Sequence, residues 1–276
     1  MSKFLVPVLF AILLVFPSIG QNRQQQQPSR PAPHWPDGRI NLGTFPGEKG
    51  HWIRQGRAQL ANNPESIIAA GPGGLATNLT VADVPFQPWA RELYHDRQAN
   101  FERDAPHSRC KPSPGPRQVG TAYGFEIVEM RDLQRVFIFD IGGPYSFRII
   151  YMDGRAHPKD PEPSYTGHSI GRWEGGTLVV DTVGFNENSW IEAEGFAHTE
   201  KLRLIERFTR TDFNILKYQV TVDDPGAYTK PWIGGFNLRW NTGAELFEYV
   251  CQENNRVEET NEGADGSTRR TSSIVP

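Results

Sequence analysis

The sequence predicts a mainly β, single-domain antiparallel β-barrel of the lipocalin kind, with an irregular N-terminal segment and one or two short helices. Three observations predict it. Short extended segments follow one another from residue 125 onward, and those over 198–210 and 215–224 alternate apolar and polar side chains. Turn residues separate them at near-regular spacing. Several inward positions are polar (Glu206, Tyr218 and Glu248), which suits a lined cavity better than a dry sandwich core. About eight strands close around space for one small ligand.

The elements follow in chain order. Residues 1–20 read as an export signal, with Lys3 before an apolar run from Phe4 to Phe16 and the small residues Ser18 and Gly20 near the cleavage point. The run is too short to span a bilayer comfortably, so no stable membrane anchor is expected once the signal is removed. Residues 21–118 form an extended and helical segment that packs on the barrel. Within it Gln24 to Gln27 is a polar leader, and a short helix is expected near residues 53–60. A longer helix is expected over 88–103, opened by Pro88 and carrying Trp89, Leu93, Tyr94 and Phe101 at helical spacing. Residues 111–117 read as a Pro/Gly linker.

The barrel domain spans residues 119–255. Strands are expected over 125–130, 135–141 and 145–152, the last closed by Asp153-Gly154, a favoured hairpin dipeptide. A Pro-rich loop covers 155–167, and structureless loops of that length are often functional. Residues 168–173 and 177–183 form a hairpin around Gly175-Gly176. Strands over 198–210, 215–224, 236–240 and 245–252 complete the wall, and 256–276 is a polar tail.

Glu206 is the informative position. It shares the apolar face of its strand with His198, Glu200, Leu202, Leu204 and Phe208. An ionised carboxylate there costs several kcal/mol unless it is paired or protonated. Keeping apolar faces together sets Glu206 opposite Tyr218, Phe208 opposite Leu216, and Lys201 opposite Asp223. Burial lifts a carboxyl toward neutrality, which suits a general acid or base, and Tyr218 can donate to a developing oxyanion. The plainer alternative is a structural Glu satisfied by an Arg or a Tyr.

Other candidates gather at the rim. His168 starts its strand just after the Pro-rich loop and is a candidate catalytic group. His157 and Tyr165 join it as a mouth cluster. His198 lies eight residues before Glu206, about 26 Å along an extended strand, and so belongs to the other end. Tyr228 and Trp232 could rim a pocket or cover core edges, and Glu248 adds a carboxylate. Asp181 is expected to pair with Arg172. No metal is expected, because His157, His168, His198 and Glu200 lack metal-site spacing. No G-x-S-x-G elbow or phosphate-cradling glycine motif occurs, and no cofactor is expected.

Cys110 and Cys251 are the only two cysteines, and an exported chain favours a disulfide between them. The net charge is −3 with scattered Lys and Arg, which argues against nucleic acid as a partner. Asn78-Leu79-Thr80 fits the glycosylation pattern, relevant only in a eukaryotic secretory route.

Several segments resemble a family of uncharacterised secreted bacterial proteins. They are PFQPWA (85–90), CKPSPGPR (110–117), DGRAHPKDPEP (153–163), GHSIGRWEGGTLVVDTVGF (167–185), ERF (206–208), DDPGAYTKPW (223–232) and EYVCQEN (248–254). Gly176 stands where that family's turn carries Asp. The resemblance implies export, to the periplasm or medium, and a β-rich, calycin-like domain. It assigns no activity.

Two functional readings follow. One is a secreted, cofactor-independent enzyme that uses acid and base groups in a barrel cavity on an apolar or aromatic small molecule, as a lyase, isomerase or hydrolase. The other is a lipocalin-like carrier of such a molecule.

Overall fold

The structure, a computed structural model, describes residues 30–64, 74, 76–100, 104–141 and 146–251. The expected export signal, the glutamine leader and the C-terminal tail lie outside the described residues. Nine strands form one closed barrel: β1 (Gly50–Arg54), β2 (Phe125–Met130), β3 (Arg135–Asp140), β4 (Phe147–Tyr151), β5 (His168–Glu174), β6 (Thr177–Val183), β7 (Arg203–Arg210), β8 (Ile215–Asp223) and β9 (Trp232–Thr242). Two helices accompany it, α1 (Pro88–Ala99) and α2 (Gly115–Val119).

Alternation explains the wall. In β7 the residues Leu204, Glu206, Phe208 and Arg210 are buried, while Arg203, Ile205, Arg207 and Thr209 face outward. The interior is filled by fully buried side chains, among them Trp52, Phe125, Ile138, Phe208, Tyr218 and Phe236. At one end Arg210 lies over the rings of Trp52 and Trp240 and donates to the Asn41, Gly43 and Phe213 carbonyls. At another part of the core, α1 contributes Tyr94 to an aromatic cluster with Phe86, Phe196, Tyr228 and Trp232.

Pairing is antiparallel except at one seam. There β4 and β5 run parallel and pair only through Ile150 with Ser169 and Tyr151 with Ile170. The intervening chain, 152–167, crosses over the outside instead of closing a hairpin, so the tight turn expected at Asp153-Gly154 does not join adjacent antiparallel strands. The crossover is tied to the far side of β6 by a parallel bridge between Ser164 and Phe185. Gly171 permits the close seam: a Cβ there would stand 2.5 Å from the Met152 sulfur.

Four more expectations are corrected. Residues 50–54 are strand β1, not the start of a helix over 53–60, because Trp52 and its neighbours pair along β9 from Gly50↔Thr242 to Arg54↔Leu238. The 111–117 stretch is not wholly a linker, since α2 begins at Gly115 and buries Pro116, Gln118 and Val119. The chain over 244–250 is not a strand, and Glu248 is exposed there. The β7–β8 register is displaced by two residues: Glu206 pairs with Val220, Phe208 with Tyr218, and Arg203 rather than Lys201 with Asp223. A two-residue slip preserves every face, so hydrophobic patterning could not separate the two registers. The hairpin register expected for β5–β6 is found, with Trp173 opposite Leu178 and Gly171 opposite Val180.

Cys110 and Cys251 form a disulfide. No helix among the described residues is long and apolar enough to cross a membrane.

Candidate functional site

Two polar assemblies stand out, one inside the barrel and one on its flank. The inner one centres on Glu206, which is fully buried. Arg148, projecting inward from β4, grips it with both terminal nitrogens, at 2.5 Å to Oε2 and 3.1 Å to Oε1. The Tyr218 hydroxyl donates to Oε1 at 2.9 Å, reaching diagonally across the shifted register. Burial, then the adjacent Glu206, pushes the Tyr218 phenol well above its ordinary range, so it stays a donor. Gly115 of α2 roofs the group; a Cβ there would stand 3.0 Å from Oε1. Both carboxylate oxygens are therefore engaged, in the manner of a buried, hydrogen-bonded ion pair.

Arg148 was missed from sequence. Its neighbours Phe147, Ile149 and Ile150 make both faces of β4 apolar, so alternation does not reveal which one turns inward. Asp140, at the end of β3, was missed as well. It is buried and accepts hydrogen bonds from the Ser146 hydroxyl and amide at 2.8 and 3.2 Å. Burial pushes its carboxyl from 3.8 up to about 7, against the opposing pull of Ser146, Arg148 and Arg117. The native state then holds a proton that the unfolded chain releases. Stability is expected to fall as pH rises from about 4 to about 7, by up to ~1.4 kcal/mol per pH unit, and to level off above that. Urea titrations across this range should show the slope in the wild type and a shallower one in Asp140→Asn, the remainder belonging to groups such as Glu192, which burial and then Glu194 also raise. An identical slope in both proteins would assign the effect to other groups.

The outer assembly lies at the parallel seam. Below Ile150 and Ser169 the two strands diverge, because the chain entering β5 leaves the sheet at Ser164 to meet Phe185. The wedge between them is a cavity of about 390 Å³. The outward side chains of β4, Phe147, Ile149 and Tyr151, form one wall. The crossover supplies Pro158, Pro161, Glu162, Ser164 and Thr166, and His168 and Ser169 close the end. Such a volume falls in the range of small-molecule sites.

His168 stacks on Tyr151 with ring centroids 5.3 Å apart and planes at 23°. Its Nδ1 lies 2.9 Å from Nδ1 of His157. His157 Nε2 faces Asp181 Oδ1 at 3.5 Å, an ion-pair distance that is too long and poorly aligned for a well-formed hydrogen bond. Burial alone would raise the Asp181 carboxyl. Arg203, bonding it at 2.9 and 2.5 Å, overrides burial with help from His157 and holds it below its ordinary range. Asp181 thus pairs with Arg203, and Arg172 pairs with Glu174 instead. The β6–β7 pairing of Asp181 with Ile205 explains the exchange, since it brings Arg203 alongside. His168 is held below its usual value by burial first, then by the neighbouring His157 and Arg155.

No family model, curated protein or solved structure matches this chain.

The remaining sequence candidates fall elsewhere. Tyr165 is half-buried in the crossover but does not line the cavity. His198 is buried in the chain before β7, with Nε2 at 3.0 Å from the Ser189 hydroxyl and Nδ1 at 3.2 Å from the Thr199 carbonyl. Ser189 borders a space of about 10 Å³, enough for one water and no substrate. Tyr228 and Trp232 sit in the closed aromatic cluster, where the Tyr228 hydroxyl donates to the Ala197 carbonyl at 2.8 Å. Glu248 is not brought to Glu206. Among the described residues no group of three or more His, Cys, Asp or Glu is arranged to hold a metal ion.

Proposed function

We propose that this protein is a small-molecule binder acting outside the cytoplasm, and that it seats an apolar or aromatic ligand on the flank of the barrel, between β4 and the crossover. The cavity itself carries the reading: the aromatic and aliphatic side chains Phe147, Ile149 and Tyr151 and the polar groups of Glu162, Ser164, Thr166 and His168 line one space, a mix that can hold and orient a small molecule. The Cys110–Cys251 disulfide supports an oxidising compartment. Inside the barrel, Glu206 has both oxygens bound to Arg148 and Tyr218. That arrangement favours a role in holding the fold over proton transfer at this carboxylate.

Thr166 lines the cavity from the crossover. Replacing it with tryptophan fills the wedge without touching the barrel interior. The neutral fluorophore N-phenyl-1-naphthylamine is expected to bind the wild type at one site and to lose affinity about ten-fold or more in Thr166→Trp. Absence of binding to the folded wild type, or equal binding to the variant, would overturn the reading.

A further inference from the structure

We propose that the cavity selects ligands bearing a weakly acidic hydroxyl on a flat apolar ring, with that hydroxyl donating a hydrogen bond to Nε2 of His168. This deepens the flank-cavity reading and rests on it. The inference comes from how protons must be ordered along the line Asp181, His157, His168. Two Nδ1 atoms 2.9 Å apart need one proton between them, so one ring donates and the other accepts. The Asp181 carboxylate faces Nε2 of His157 and favours the tautomer that keeps a proton there. His157 Nδ1 is then the acceptor and His168 Nδ1 the donor. A neutral His168 protonated at Nδ1 has its lone pair on Nε2, and His168 lines the cavity.

The surroundings agree with an acceptor that serves a polarised O–H. Burial disfavours the charged form of His168, which leaves the lone pair available. Arg155 lies over the Tyr151 ring at 4.0 Å and is paired with Asp153, which helps hold the Tyr151 side chain of the cavity wall in place. Phe147, Ile149 and Tyr151 offer a flat apolar surface to the ring. The charged and titratable groups around His168 are His157, Asp181 with Arg203, Arg155 with Asp153, Tyr151, and Glu162 on the crossover side. Glu162 opposes an anionic ligand, so a neutral hydroxyl is preferred over a carboxylate.

The test compares phenol with anisole, which has nearly the same shape but no O–H, at about pH 7.5, where the phenol, ionising at about 10, keeps its proton. The wild type is expected to bind the phenol about ten-fold more tightly. In His168→Phe the phenol preference is expected to vanish, so that the phenol and the anisole bind equally whatever affinity they then share. Asp181→Asn, which removes the ordering charge, is expected to reduce the preference without weakening anisole binding. Nitrogen NMR of the wild-type imidazoles gives a readout that needs no variant: the His168 Nε2 signal should be that of an unprotonated nitrogen and should move with the phenol only. Equal binding of the two probes, or a preference that survives in His168→Phe, would overturn the proton ordering while leaving the cavity in place. Failure of the folded wild type to bind either probe would overturn the cavity and the inference together.

Discussion

Arg148→Met is expected to cost about 3–5 kcal/mol of stability, because it strands the Glu206 carboxylate in the barrel interior with Tyr218 as its remaining polar partner. A pair of buried charges is a poor source of net stability, since desolvation offsets most of the attraction. Breaking one partner is another matter, because the cost of the remaining charge is no longer compensated. The double change Arg148→Met with Glu206→Leu is therefore expected to recover most of the loss. Urea unfolding of the wild type, the single variant and the double variant reads this directly, with the slope of the transition checked for constancy. A loss below about 1 kcal/mol in the single variant would mean that water reaches Glu206 and that the interior is not as closed as described.

Loss of the disulfide is the second large effect. It joins residues separated by 141 positions, and the loop-entropy model gives about 5 kcal/mol for a loop of that length as an upper figure. The bridge ties the chain just before α2 to the chain after β9. Because Gly115 of α2 covers Glu206, the cross-link also restrains the roof of the buried ion pair. Cys110→Ser with Cys251→Ser, or reduction of the wild type, is expected to lower the unfolding free energy by several kcal/mol, read as a lower urea midpoint, while leaving β-sheet circular dichroism intact at low denaturant. A reduced protein with an unchanged midpoint would show that the two segments are held in place by packing alone.

Much of the wall was legible in the sequence, for a physical reason. A strand that is wet on one side and buried on the other must alternate, and β8 does so in its sequence, while β3 alternates in burial although Val136 to Phe139 is all apolar. The Gly175-Gly176 turn fixed the β5–β6 register because the loop leaves little freedom. The β7–β8 register was not fixed in this way, because the longer turn at 211–214 permits a slip by two that keeps Glu206 and Tyr218 on the same face. The inward aim of Glu206 was visible as an acidic residue in an apolar row. Its partner was not, because Arg148 lies in a strand with apolar residues on both faces.

The flank site was only partly legible. His157 lies within the Pro-rich crossover and His168 just after it, and their nearness in sequence points to a cluster. The seam that creates the cavity depends on β4 and β5 running parallel, which is set by how a sixteen-residue crossover (152–167) drapes over the outside and docks on Phe185. No local pattern encodes that path, and Asp153-Gly154 suggested a hairpin instead. Asp181 needed the third strand, β7, before its true partner Arg203 could be named.

The central claim is that the ligand sits against the outer wall of β4 and not within the barrel. Backbone amide shifts of the wild type titrated with anisole test it most directly. The expected result is a set of perturbations confined to residues 147–151 and 158–169. Perturbations centred instead on Leu204, Glu206 and Tyr218, with the flank silent, would contradict it.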